Sequence, residues 1–133
     1  MANIFEIDMT LKDIDADPVR HNQVYWGIQV FDERGNVCGT AMCAAGFTVV
    51  RHGYRLDFDK GQAVAYRCEA PDGGYASIEH AAARILELSP AEAGSFFAAC
   101  NTREDLQSLR DRFAEREAER EHSGVSQGQD THS

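Results

Sequence analysis

The chain of 133 residues has no apolar run near the ~20 residues that a spanning helix requires. It is also short of positive charge. Thirteen Lys and Arg stand against 22 Asp and Glu, a formal net charge of −9. Phosphate backbones repel such a surface, so ordinary nucleic-acid binding is not expected. An acidic face that imitates DNA is the one related reading left open, and simple solubility through net charge accounts for the same excess. The opening Met1-Ala2-Asn3-Ile4-Phe5-Glu6 lacks the basic region and long apolar core of a signal peptide. The expectation is therefore a cytoplasmic protein, of a bacterium or a phage-infected host, with its four cysteines as thiols rather than disulfides. Catalytic motifs are missing as well. Gly73-Gly74 has neither the following Lys-Ser/Thr nor the strand–helix frame of a phosphate cradle, and no carboxylate pair stands out. Asp13, Asp15 and Asp17 open like a calcium loop. Pro18 then stands where glycine must turn and Val24 where a bidentate Glu must close, so a solvated acidic edge is the better reading. No cofactor is implied.

What is present suits one α+β domain. Its hydrophobic fraction of 43% is enough to build a core at this length. Its centre is predicted to be Val37-Cys38-Gly39-Thr40-Ala41-Met42-Cys43-Ala44-Ala45-Gly46-Phe47, read as a buried small-residue helix from about Thr40 to His52. Thr40 is its expected N-cap and Gly53 follows its end. Gly46 lowers helix propensity by about 1 kcal/mol, which suggests close approach of a neighbour there. Before it, a short helix from about Thr10 to Asp15 stops at Asp17-Pro18. A strand alternates over Val24, Trp26, Ile28 and Val30, with a turn at 32–36 and a brief return at Val37 and Cys38. Tyr54, Leu56 and Phe58 and then Val64, Tyr66 and Cys68 read as a second antiparallel hairpin around a turn at 59–62. A loop follows at Pro71-Asp72-Gly73-Gly74.

The last third reads as a helical set. Ser77 caps a helix with Ile78, Ala81, Ala82 and Ile85 inward. Ser89-Pro90-Ala91-Glu92 is a capping box with proline at the first turn, ahead of Ala93, Phe96, Phe97 and Cys100. Thr102 opens a third helix burying Leu106, Leu109 and Phe113. The compact domain is expected to span 1–114. A charged helix extension and a disordered polar tail make up 115–133.

Three chemistries compete for the sulfur and imidazole groups. Cys38 would lie just before a helix N-terminus, where the macrodipole favours a thiolate, and His21 is its candidate base in a cysteine-dependent hydrolase or transferase. Cys-Gly at such a corner resembles the nucleophile turn of papain-like peptidases. Gln29 is too far upstream for that pattern, and neither His52 nor His80 is on a strand. A small metal-binding domain would use Cys38, Cys43 and His21 or Cys68, although the cysteines are five apart where a zinc knuckle wants a two-residue gap. The third account makes all four cysteines structural filler, Cys68 and Cys100 each on the apolar face of its element.

The string Cys38-Gly39-Thr40-Ala41-Met42-Cys43-Ala44-Ala45-Gly46-Phe47 resembles the core of a group of small uncharacterised proteins of actinobacteria and their phages. His21 and Trp26 before it and Asn101-Thr102-Arg103-Glu104-Asp105-Leu106 after it belong to the same likeness. The resemblance covers roughly residues 20 to 114 and implies a shared fold and a phage or mobile-element origin, but no activity. The Tyr54 to Glu69 hairpin is longer than that group needs, and the acidic tail is this chain's own. The functional expectation is a non-enzymatic cytosolic protein-binding module, a phage accessory factor acting on a host protein.

Overall fold

One helix, α2 (Ala44–Arg51), organises the packing: every side chain from Met42 to Val49 is buried in the computed structural model. The structure describes residues 2–23, 25–31, 37–58 and 64–132; the side chains of 29–31, 37–41 and 121–132 lie outside that description. The expected centre is therefore in place, with a later start. Thr40 and Ala41 are not helical: they prolong the expected return at Val37 and Cys38 into strand β2 (Val37–Ala41). It pairs antiparallel with β1 (Gly27–Phe31) in the register Ile28↔Ala41. The sheet satisfies backbone groups that a helix from Thr40 would have had to satisfy itself. Cys43, extended at φ −79°, is the N-cap residue in place of Thr40, and its N–H donates to the Tyr25 carbonyl at 2.7 Å. A Cβ on Gly46 would lie 2.5 Å from both Met42 Cβ and the Trp26 carbonyl oxygen. That is the close approach the mid-helix glycine predicted.

Helix α1 (Ile4–Ala16) is twice the expected length, because Asn3 caps it: its Oδ1 accepts the Glu6 N–H at 3.1 Å. Ile7, Leu11 and Ile14 face the core, and Thr10 shares a buried hydroxyl–hydroxyl bond of 2.8 Å with Thr48 of α2. The acidic edge of α1 is not merely solvated. Asp13 pairs with Arg51, and Asp17 with Arg20 of the 3-10 turn Pro18–Arg20. Asp15 and Asp8 pair with Arg103 and Arg110 of α5 (Arg103–His132). The last two are bidentate, at 2.7–3.0 Å, and seven residues apart on each helix. Two antiparallel helices are thus clamped at successive double turns.

Among the described residues there are two three-stranded antiparallel sheets, ordered β2-β1-β4 and β3-β5-β6, which with the helices make the fold α+β. The run from Val64 to Glu69, read as one strand, serves both. β4 (Val64–Ala65) pairs with β1, and β5 (Arg67–Glu69) pairs with β3 (Arg55–Asp57). Between them the Tyr66 carbonyl accepts the Ile78 N–H at 2.9 Å. The break shifts the alternation, so Ala65 and Cys68 are buried while Tyr66 is 65% exposed. β6 (Tyr75–Ser77), not foreseen, completes the second sheet. The turns predicted at 32–36 and 59–62, and Val24, lie outside the described residues.

Helices α3 (Ile78–Leu86) and α4 (Pro90–Phe96) begin where the caps said: Ser77 accepts from His80 N–H, and Ser89 and Glu92 form the capping box. Phe96, Phe97, Phe113 and Trp26 then meet edge-on or tilted at 5.8–6.1 Å between centroids. Cys100 departs from expectation. α4 ends at Phe96, so Cys100 falls in the following turn and is exposed. α5 runs on through 123–132, where polar composition predicts disorder, although no described side chain beyond Phe113 is buried. Between Phe113 and Arg120 its described support includes the local pair Arg120–Glu117 at 3.0 Å.

Candidate functional site

His21 ends the 3-10 turn and makes a parallel bridge to Met42. Its ring packs edge-on to Phe47, 6.1 Å between centroids. Its Nε2 lies 2.8 Å from Gln23 Oε1. That oxygen also accepts the Ala44 N–H at 3.1 Å, and the Gln23 amide nitrogen donates to the Phe96 carbonyl at 3.1 Å. The amide orientation is thereby set, and His21 must donate from Nε2. Gln23, 7% exposed, ties the turn before β1 to the start of α2 and the end of α4. Gln23 sits in a polar stretch, His21-Asn22-Gln23, and nothing in its local pattern says that the glutamine turns inward.

The cysteine at the helix N-terminus is Cys43, not Cys38. Cys38 belongs to β2, so the macrodipole argument made for it does not apply there; its side chain is outside the described residues, and so is any contact with His21. Cys43 does meet the N–H groups that open α2. Burial nevertheless pushes its thiol up to about 11, against the opposing pull of the Gly46, Ala45 and Cys43 N–H groups. At 1% exposure and neutral pH it is a thiol that no substrate reaches. Cys68, also buried and raised by desolvation, donates to the Ala76 carbonyl at 3.6 Å. Among the described residues no three His, Cys, Asp or Glu gather as metal ligands. The set Cys38, Cys43 and His21 or Cys68 is therefore not assembled by any described contact.

A polar cluster that the sequence did not reveal joins α1 to the end of α2. Glu6 Oε1 accepts from Arg51 at 2.6 Å and lies 2.8 Å from His52 Nε2. Arg51 also donates to the Glu6 carbonyl and to Thr10 Oγ1. Its Nε lies 3.0 Å from Asp13 Oδ2 without the alignment of a hydrogen bond. Burial opposes ionisation of Glu6, but the bonds from His52 and Arg51 outweigh it and hold the carboxyl below its usual range. Apart from Arg51 Nε, the groups of this cluster are bonded to one another.

The outer surfaces offer more. On the second sheet Arg55, Asp57, Arg67, Glu69 and Tyr75 share the face opposite Leu56, Cys68 and Ala76. Arg55 reaches Glu69 at 2.6 Å, and Arg67 is bidentate on Asp57 at 2.7 and 3.0 Å. The Arg67 guanidinium also stands 4.9 Å over the Tyr75 ring, which is 59% exposed. A hollow of about 300 Å³ lies between Arg55, Asp57 and Tyr75. A larger groove, about 450 Å³, separates α3 from the start of α4. Among the described residues no helix is long and apolar enough to cross a membrane. Comparison with protein-family models, curated proteins and solved structures finds no match.

Proposed function

We propose that the chain is a non-enzymatic protein-binding module of the bacterial or phage-infected cytoplasm that recognises its partner through the outer face of β3-β5-β6. The supporting observation is Tyr75, more than half exposed with the Arg67 guanidinium over its ring, on paired strands of one sheet. Tyr and Arg are the residues that dominate interface energetics, and here both are preorganised by Asp57 and the sheet register. The face balances two arginines against Asp57 and Glu69, so it is neutral on a chain of net charge −9. A partner meets less long-range repulsion there than on the acidic remainder. The reading of a phage accessory factor acting on a host protein rests on the resemblance of the Cys38–Phe47 string. The cysteine-dependent alternative draws nothing from Cys43, whose thiol is buried and protonated.

An affinity capture from an actinobacterial lysate, run in parallel with the wild-type chain and with Tyr75→Ala and Arg67→Ala, tests this. A saturable partner retained by the wild type and reduced at least about tenfold by either variant supports the reading. Equal retention by all three chains, with their folds intact by circular dichroism, removes this face from the account.

A further inference from the structure

The geometry points to the groove between α3 and α4 as a second docking site, for a segment of a partner protein that presents an aliphatic side chain beside a Lys or Arg. It rests on the protein-binding reading but uses a different surface. Its lining includes the apolar residues Ala83, Leu88, Pro90 and Ala93. Glu79 and Glu87 line it too, against the single arginine Arg84, with His80 beside them. A partly apolar lining with an excess of acid, on a chain of net charge −9, matches a basic and aliphatic occupant and disfavours an acidic one.

Glu87 strengthens the assignment. It is the one described non-glycine residue with positive φ, at 55°. Its N–H donates to the Arg84 carbonyl at 3.2 Å and the next N–H, of Leu88, to Ala83 at 2.9 Å. That is the helix-ending motif whose left-handed position favours Gly or Asn. A carboxylate there also sits at the negative end of the α3 dipole. Local chemistry thus argues twice against Glu at this place. One Glu87 oxygen accepts from the Asn3 side-chain amide at 2.8 Å, a bond that lies at the surface, where water can take either partner. Glu87 also sets a negative charge in the lining of the groove, next to Leu88.

The test uses a 15-residue peptide of Leu and Lys at helical spacing, and the same peptide with Glu in place of Lys. Titration into the full-length isotope-labelled chain should shift amide resonances between Ser77 and Ala93 for the Lys peptide only. Glu87→Gln, which keeps an acceptor for Asn3, should weaken the Lys peptide about threefold. Glu87→Gly should weaken it equally while raising the melting temperature by about 3 °C. Glu104→Gln, an exposed acid outside the groove, should change nothing. Shifts spread over α1 and α5, equal binding of the Glu peptide, or unchanged affinity in both Glu87 variants would overturn the assignment. Any of these leaves the Tyr75 face standing, because that face is read by a different capture and by different variants.

Discussion

Gly46 and Gly94 are both helical glycines, and their surroundings predict opposite responses to the same methyl group. At Gly46 a Cβ would meet the Trp26 carbonyl oxygen and Met42 Cβ at 2.5 Å, and the first is backbone that cannot turn aside. Gly46→Ala should destabilise by about 2–3 kcal/mol, the range of an overpacked core. At Gly94 a Cβ has nothing within 4 Å, so Gly94→Ala should stabilise by up to about 1 kcal/mol through helix propensity. Urea unfolding of both variants measures the difference, and two equal effects would refute the packing. The thiols separate in the same way. Iodoacetamide on the folded chain should alkylate exposed Cys100, whereas buried Cys43 and Cys68 should react only after denaturation. Peptide mass spectrometry reads each site; fast labelling of Cys43 near neutral pH would revive the nucleophile reading.

Among the elements, those announced by local chemistry were legible and those fixed by distant partners were not. Ser77, Ser89-Pro90-Ala91-Glu92 and Thr102 each carry a cap beside the chain they cap, and α3, α4 and α5 begin there. Asn3 and Glu6 carry the same kind of signal for α1, which begins at Ile4 where a start at about Thr10 is expected. Thr40 and Ala41 show the other case. Their types suit the start of a helix, and only the rungs to Gln29 and Ile28 of β1 make them strand. Tyr66 likewise changes face because Ile78, twelve residues on, takes its carbonyl. The candidate site follows the same division. His21 was picked out by type, but Gln23, which holds it, acts through Ala44 and Phe96 and leaves no trace in local periodicity. The acids of α1 were visible, though not their partners. Glu6 and Asp15 both titrate below their ordinary 4.5 and 3.8. For Glu6 the bonds from His52 and Arg51 overcome burial; for Asp15 the bond from Arg103 does so directly. Carboxyls depressed in the folded state contribute stability that is complete above the unfolded values and is lost as pH falls through the lower folded ones. Chemical denaturation should therefore show a plateau above about pH 5 and a decline beginning below 4.5. Glu6→Gln should flatten part of that decline, and an identical pH profile would show that the α1–α2 cluster carries no linkage.

For the whole molecule, stability and reach belong to different segments. Phe113 is the last residue of the buried core, packed 6.1 Å from Phe96. The clamps Asp8–Arg110 and Asp15–Arg103 lie N-terminal to it on α5. From Phe113 to His132 the helix extends about 28 Å at 1.5 Å per residue. Nothing described along that length is buried, and helices of such composition gain only a few tenths of a kcal/mol from each spaced charge pair. Removing residues 121–133 should leave the melting temperature within about 2 °C of the full chain, since no described core contact is lost. Cutting after Leu109 instead removes Phe113 and the Arg110 clamp together and should cost several kcal/mol, enough to unfold a marginal domain. Differential scanning calorimetry of the two truncations distinguishes them. If the shorter deletion also melts early, the end of α5 packs on the domain, and the division between a compact body and a projecting helix fails.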